Sequence, residues 1–507
     1  MKRKYLYIIT LLFLVSCNED FLEKNPLNAP SSATFWTSAD NAKMWVNNLY
    51  NGLPNANNYI VNFSDNSHCR TKPNTMGGEI ANGTFQANST IVAGEWDYET
   101  IRGCLDFFDN VEKIPDITEE KKSELTGQVR FILAFKYFWM MSLFRDIPLV
   151  TSPLAIEESD VPKSPKSEIL TYVLQQVDKA IEELPLTWPE SETGRATKGA
   201  ALALKARVLL YNERWEEAAS VSKQIMDLNI YELHPNFGDL FVRNFNNKTK
   251  EVILAYQHAD IVRQHDIFRK FAFFSIGGWA LCLATPDIAN AFECIDGLPI
   301  EESPLYDPEN PSLNRDPRCN ETLIFPYTDF TENFFFDPSE GRNPTFSKTK
   351  LHFKKYINDM KPTETVSYVN WILFRYAEVL LNYAEAKNEA SGPESSIYDA
   401  LDLIRLRAGM PVVDRNRYNT KEKLRQFIRN ERRVELVAEG HRYFDIIRWR
   451  IAEDVLNTTI KSYEIPGLFD AEVIETRVFD VNKHYVWPIP QDAIDKAKNL
   501  EQHIEWK

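Results

Sequence analysis

Residues 131–144 (FILAFKYFWMMSLF) are apolar almost all the way round a helix. Such a helix has no polar face for water, so other elements must enclose it. The sequence predicts a long, deeply buried helix over 123–145. It stops at Arg145-Asp146-Ile147-Pro148, because proline disfavours helical backbone at the residue before it. A chain built around such a rod is a helical body. Further helices are expected at 38–50 and at 165–184, the latter with Ser164 as N-cap and Pro165 as first helical residue. Ile169, Val173, Val177 and Ile181 form its apolar stripe. Residues 198–211 and 214–228 read as a helical hairpin, with Thr197 as a possible N-cap. Ala203, Ala206, Ala218 and Ala219 would let its two arms approach closely. A second pair is expected at 371–390 and 395–408, and a long helical segment at 421–452. The pairs are similar to tetratricopeptide units, without the full repeat consensus. Short strands are expected in 251–257 and 321–326. Residues 52–95, 230–370 and 410–420 are largely irregular, and loops this long in a compact protein are usually functional. The fold class is mostly α, a helical scaffold carrying large loops and a few short strands.

The N-terminus bears on location. Lys2-Arg3-Lys4 precedes an apolar run over 5–15. Eleven helical residues reach about 16 Å, short of the roughly 30 Å of a bilayer core. The run reads as a signal peptide. Leu14-Val15-Ser16-Cys17 resembles a bacterial lipobox, with Cys17 as the lipidated residue, and Asn18-Glu19-Asp20 resembles a surface-export signal of Bacteroidetes lipoproteins. The expected organisation is a signal peptide over 1–16, a lipidated tether over 17–34, and N-terminal and C-terminal regions over 35–230 and 231–507.

With 58 basic and 73 acidic residues the net charge is −15, which argues against nucleic-acid binding. Cys69, Cys104, Cys282, Cys294 and Cys319 show no CxxC or zinc spacing and read as buried apolar residues. No HExxH, GxSxG or dinucleotide-binding glycine pattern occurs. His352 and His441 sit beside aromatics and read as core groups. Cofactors and metals are expected to be absent. The densest charged stretch places Glu431, Glu435 and Glu439 at i, i+4, i+8, with Arg432, Arg442 and Arg448 close by. Guanidinium forks pair bidentately with carboxylates, so this stretch reads as an ion-pair lattice joining helices rather than an acid–base site. Those arginines are matched to the same glutamates or to acids such as Glu378 and Glu385.

The same residues carry a family likeness. ERRVELVAEGHRYFDIIRW (431–449), RYAEVLLNYAEAKNEA (375–390), IRLRAGMP (404–411) and YVWPIPQDAI (485–494) resemble the SusD/RagB family of outer-membrane lipoproteins. So do PSSATFW (30–36), the 130–150 helix, GRATKGAALALKARVLLYNERWEEAA (194–219) and Asn314-Arg315-Asp316-Pro317-Arg318. The extreme C-terminus, EQHIEWK, departs from the family's usual ending. The resemblance implies a SusD-like fold and a non-enzymatic surface lipoprotein that captures oligosaccharides, or in some branches peptides. It also implies delivery to a SusC-like TonB-dependent transporter in the outer membrane. A turnover enzyme and a protein-recruiting scaffold are the competing readings.

Family ligand contacts lie in variable loops, so the candidates come from the residues themselves. Aromatic faces stack on sugar C–H faces, and amides, carboxylates and guanidinium groups bond the hydroxyls. Trp279 after Gly277-Gly278 leads, with Phe273 and Phe274 before it. Asp65, His68, Arg70, Asn74 and Phe85 follow, then Tyr327, Phe330 and Phe334. Trp36, Trp45, Trp139, Trp215, Trp449 and Trp487 belong to scaffold motifs and are expected in the core.

Overall fold

The computed structural model describes residues 35–71, 76–243, 245, 248–331, 334–361 and 364–507. Cys17, the signal peptide, the tether and Asn74 lie outside these. The helices are α1 (Ala39–Leu49), α2 (Tyr98–Val111), α3 (Glu119–Phe144), α4 (Lys166–Glu183), α5 (Lys198–Tyr211), α6 (Trp215–Asp227), α7 (Ile267–Phe271), α8 (Tyr376–Ser391), α9 (Ser395–Arg407), α10 (Lys421–Glu435) and α11 (Arg442–Arg448), with shorter helical turns between them. The strands used below are β1 (Ser67–Cys69), β2 (Val252–Tyr256), β3 (Cys282–Ala284), β4 (Leu323–Ile324), β5 (Asp329–Thr331), β6 (Phe334–Phe335), β7 (His352–Phe353) and β8 (Trp371–Arg375).

Helix α3 is the enclosed rod that its sequence demands. Every residue from 131 to 141 is buried, and each large apolar side chain there contributes about 1.5–3 kcal/mol of transfer free energy. The one charge in that stretch, Lys136, is met by Asp97 at 2.8 Å and by the Gly52 carbonyl at 3.1 Å. α1, α2 and α4 pack on α3, α5 packs on α4 and α6, α6 packs on α8, and α8 holds α9 and α10. The Thr197 hydroxyl accepts the Ala200 N–H at 3.2 Å, so the predicted cap forms.

Three expectations are corrected. Helix α4 starts at Lys166 with Pro165 as its N-cap, because Ser164 is used in a bridge to Ile147. Residues 371–375 are strand β8, paired antiparallel with β2, and helix α8 begins only at Tyr376. The segment 421–452 is broken after Glu435: Ala438 and Gly440 take positive φ and start α11 in a new direction.

The five described cysteines are buried and form no disulfide. Trp36, Trp139, Trp449 and Trp487 are core, whereas Trp45 and Trp215 are half-buried. No described helix is long and apolar enough to cross a membrane.

The glutamate row has the partners that bury it. Glu435 receives Arg318 at 2.8 Å, Arg375 at 2.5 Å and Arg407. Glu431 receives Arg318 at 2.6 Å and Arg405 at 3.1 Å. Glu439 receives Arg375 at 2.8 Å and Lys355 at 2.6 Å. The arginines nearest in sequence go elsewhere: Arg432 to Asp445, Arg448 to Glu385 and Asp445, Arg442 to Asp65. A buried charge is tolerated only when paired. Burial opposes ionisation of Glu431 and Glu439, but the surrounding cations still hold both below the usual carboxylate range.

Candidate functional site

A four-stranded antiparallel sheet, in the order β1-β3-β7-β4, gathers the loops that sequence reasoning singled out. Cys69 pairs with Cys282, so the end of β1 lies against the start of β3. That register sets Arg70 beside the 277–281 turn, and the Arg70 N–H bonds the Leu281 carbonyl at 3.3 Å.

Trp279 is the outward-facing residue of that turn, 46% exposed. Gly277 takes φ +95°, and a Cβ on Gly278 would lie 2.0 Å from the Ala272 carbonyl oxygen. Only glycines fit there, and together they swing the following indole into solvent. The Trp279 N–H bonds the Arg269 carbonyl at 2.8 Å, and the Arg269 guanidinium covers the indole at 4.8 Å. From the other side Arg70 Nε donates to the Trp279 carbonyl at 3.0 Å. The same guanidinium stands 4.1 Å above the Phe346 ring. Phe346 meets Phe274 at 4.9 Å, and Arg342 lies 5.2 Å over Phe274. Asn343 fixes this array: its Oδ1 accepts the Phe274 N–H at 3.1 Å, while its Nδ2 donates to Ser275 Oγ at 3.1 Å and to the Asp337 carbonyl at 2.8 Å.

A second aromatic group surrounds the β5–β6 hairpin. Tyr327 is half-buried between Phe335 and Phe469, each 6.2 Å away. Phe335 and Phe334 are exposed. Lys350 Nζ sits 4.0 Å over Phe469.

Several predicted candidates are structural instead. Phe273 is fully buried against Phe330, Phe336 and His352, so its faces and that of Phe330 are closed. Phe85 is buried among Trp487, Trp506 and His484. Asp65 is buried and accepts two bonds from Arg442, at 2.8 and 2.7 Å, with Arg433 at 2.9 Å. Burial opposes its ionisation, yet these cations hold its carboxyl well below the usual range. His68 is buried with Nδ1 2.9 Å from Glu475. The reason is common to all five: loop polarity says nothing about which distant element covers a side chain. His352 is the floor of the site. Nδ1–H donates to the Phe271 carbonyl at 2.9 Å and Nε2 faces Ser347 Oγ at 2.7 Å, and burial pushes its pKa down to about 4.

Sequence reasoning missed Arg269, Arg342, Phe346, Phe335, Phe469 and Lys350. Arg342 after Gly341 and the Phe334-Phe335-Phe336 run are local signals of a turn and of a half-exposed strand. Nothing local ties Phe346 to Arg70, or Phe469 to Tyr327. Among the described residues no three His, Cys, Asp or Glu side chains could hold a metal ion. The site offers open rings and N–H donors.

Residues 250–506 match the family model described as the SusD family. The chain belongs to the SusD family. Residues 20–210 also match a SusD-like model described as starch-binding associating with outer membrane. SusD-like protein P25 of Formosa agariphila is 25% identical over 516 residues, spanning 90% of this SusD-family chain and 94% of the relative. A SusD-like carbohydrate-binding protein of Bacteroides fragilis has the same fold, with TM-score 0.86 and 29% identity over 92% of this chain and 100% of its own. A laminarin-binding SusD-like protein shares the SusD fold at TM-score 0.70 and 20% identity, over 92% and 99% of the two chains.

Proposed function

We propose that the protein is a glycan-binding surface lipoprotein whose ligand stacks on Trp279 and the neighbouring Phe274–Phe346 pair. Arg70, Arg269 and Arg342 supply N–H donors to the sugar oxygens. It holds the ligand without turning it over and passes it to a SusC-like TonB-dependent transporter. Lipid on Cys17 keeps it at the outer membrane, facing the exterior.

The observation that carries this reading is the exposed indole of Trp279, presented by two obligatory glycines, with the Arg269 guanidinium on its ring and the Arg70 guanidinium on its carbonyl oxygen. An apolar ring of this size is left in water at a cost unless a partner covers it. The carbohydrate-binding relative from Bacteroides fragilis and the starch-binding description of the N-terminal family model support a saccharide as that partner.

Calorimetric titration of the chain from residue 18 onward against neutral polysaccharides, host-type glycans and a peptide mixture tests it. Heat from a glycan, lost in Trp279→Ala, is the expected result. Heat from peptides alone would replace the glycan reading with a RagB-like peptide-binding one.

A further inference from the structure

The platform alternates cations and rings in one continuous line of contacts: Arg269 on Trp279, Trp279 on Arg70 through its carbonyl, Arg70 on Phe346, Phe346 on Phe274, Phe274 under Arg342. None of these three arginines makes an ion pair among the described residues, and neither does Lys350 over Phe469. Arg269 Nε is buried with no acceptor. The one described carboxylate bonded into the 337–346 loop, Asp337, is occupied at home. Its Oδ1 accepts the Ser339 N–H at 2.8 Å and the Ser339 hydroxyl at 2.6 Å. Asp329 and Glu340 are exposed on the same loops and reach none of the four cations.

This pattern runs against the chain's composition. Acidic residues outnumber basic ones 73 to 58, and elsewhere the buried Arg207, Arg318, Arg375, Arg405, Arg432 and Arg477 each hold one to three carboxylates, while Arg315 bonds backbone carbonyls. Four cations without a counter-charge among the described residues, on one set of loops, need a reason. Cation–ring contact fixes where each guanidinium lies without using its N–H groups; of the three, Arg70 spends its Nε–H on the Trp279 carbonyl and keeps its terminal N–H groups. The fork geometry matches planar or tetrahedral oxyanions bidentately. Arg70 is in addition partly dehydrated, and burial lowers its pKa; an incoming anion would offset that cost.

We propose that the saccharide captured here is anionic, with carboxylate or sulfate groups spaced along the sugar chain so that ring faces lie on Trp279, Phe346 and Phe274 while the anions meet Arg269, Arg70 and Arg342. The proposal rests on the glycan-binding reading and specifies its substrate class. Uronate and sulfate present the same oxyanion chemistry, so both are tested.

The full chain in detergent is titrated with a tetramer of α-1,4-linked galacturonate, a sulfated galactan oligosaccharide and maltotetraose, at low and at physiological salt. At least one anionic probe should bind about tenfold or more tightly than maltotetraose, the size of effect expected of one charge-assisted hydrogen bond. The preference should shrink as salt rises. Arg342→Gln, which alters an exposed side chain resting only on a ring face, should remove most of that preference. Arg70→Gln should do the same, and each should weaken the anionic probes several-fold more than it weakens maltotetraose. Trp279→Ala should weaken all three probes together. Maltotetraose binding as tightly as both anionic probes, or a charge preference untouched by both arginine variants, would overturn the anionic assignment while leaving glycan capture intact. Absence of heat from every saccharide would overturn the platform itself, and this proposal with it.

Discussion

Arginine serves opposite purposes in two regions of this molecule. In the helical scaffold Arg318, Arg375, Arg405, Arg407 and Arg432 are buried and face carboxylates. On the platform Arg70, Arg269 and Arg342 face rings. The first set spends its hydrogen-bonding capacity on tying β8, α9, α10 and the 316–318 turn together. The second set keeps that capacity for something outside the chain. What separates them is the partner each side chain is given, and the residue type alone could not have told them apart.

The most disruptive way to sharpen the contrast is to remove one scaffold cation. Arg375→Ala leaves Glu251, Glu435 and Glu439 buried with a missing partner, and unfolding should lose about 3–5 kcal/mol; equilibrium denaturation reads this directly. A loss under about 1 kcal/mol would mean that the lattice is solvated and does not hold the helices. Phe273→Ala, beneath the platform, should cost about 3 kcal/mol through the cavity it leaves. The same measurement would return nearly no change if Phe273 were a surface ligand contact.

Acid separates the contributions further. His352 and His441 are buried and neutral, with pKa values pushed down by burial, that of His352 to about 4. The unfolded chain takes up those protons first as pH falls below about 6.5. Their stabilisation is therefore complete above that value and is lost on going down towards 4. Glu431, Glu435 and Glu439 have depressed pKa values, so their contribution is lost only below about 4.5. His352→Gln should flatten the stability–pH slope between 6.5 and 4.5 by up to about 1.4 kcal/mol per pH unit, measured by denaturant midpoints across pH. An unchanged slope would place His352 in contact with water. The smallest effect belongs to Trp279→Ala, which should change stability by no more than about 0.5 kcal/mol while removing glycan binding. A large stability loss would reassign that indole to the core.

The scaffold was far more legible in the sequence than the site. Helices α3, α5 and α6 follow from the length, apolar content and small residues that each segment carries within itself. Residues 371–375 were misread because a short apolar run beside a helix has the same pattern as the helix; only β2, more than a hundred residues earlier, decides it. The break after Glu435 was hidden because Glu439 continues the four-residue spacing of the row. It remains on the row's side of the structure, though no longer on the helix. At the platform, Trp279 was legible because Gly277-Gly278 is a local backbone signal. Phe85 and Phe273 look no different from it in composition, but Trp487, Trp506 and the β5–β6 hairpin cover them from far along the chain.

The Asp65 clamp has a consequence for timing. Its partners Arg433 and Arg442 stand hundreds of residues later, a separation of 377 for Arg442. Arg207 likewise waits for Glu378, 171 positions on. A ribosome therefore releases each early charge long before its counter-charge exists, and the growing chain has to keep those groups in water. Such non-local closure makes for slow, late assembly. A polypeptide that cannot lock until residue 442 has emerged stays threadable for most of its synthesis.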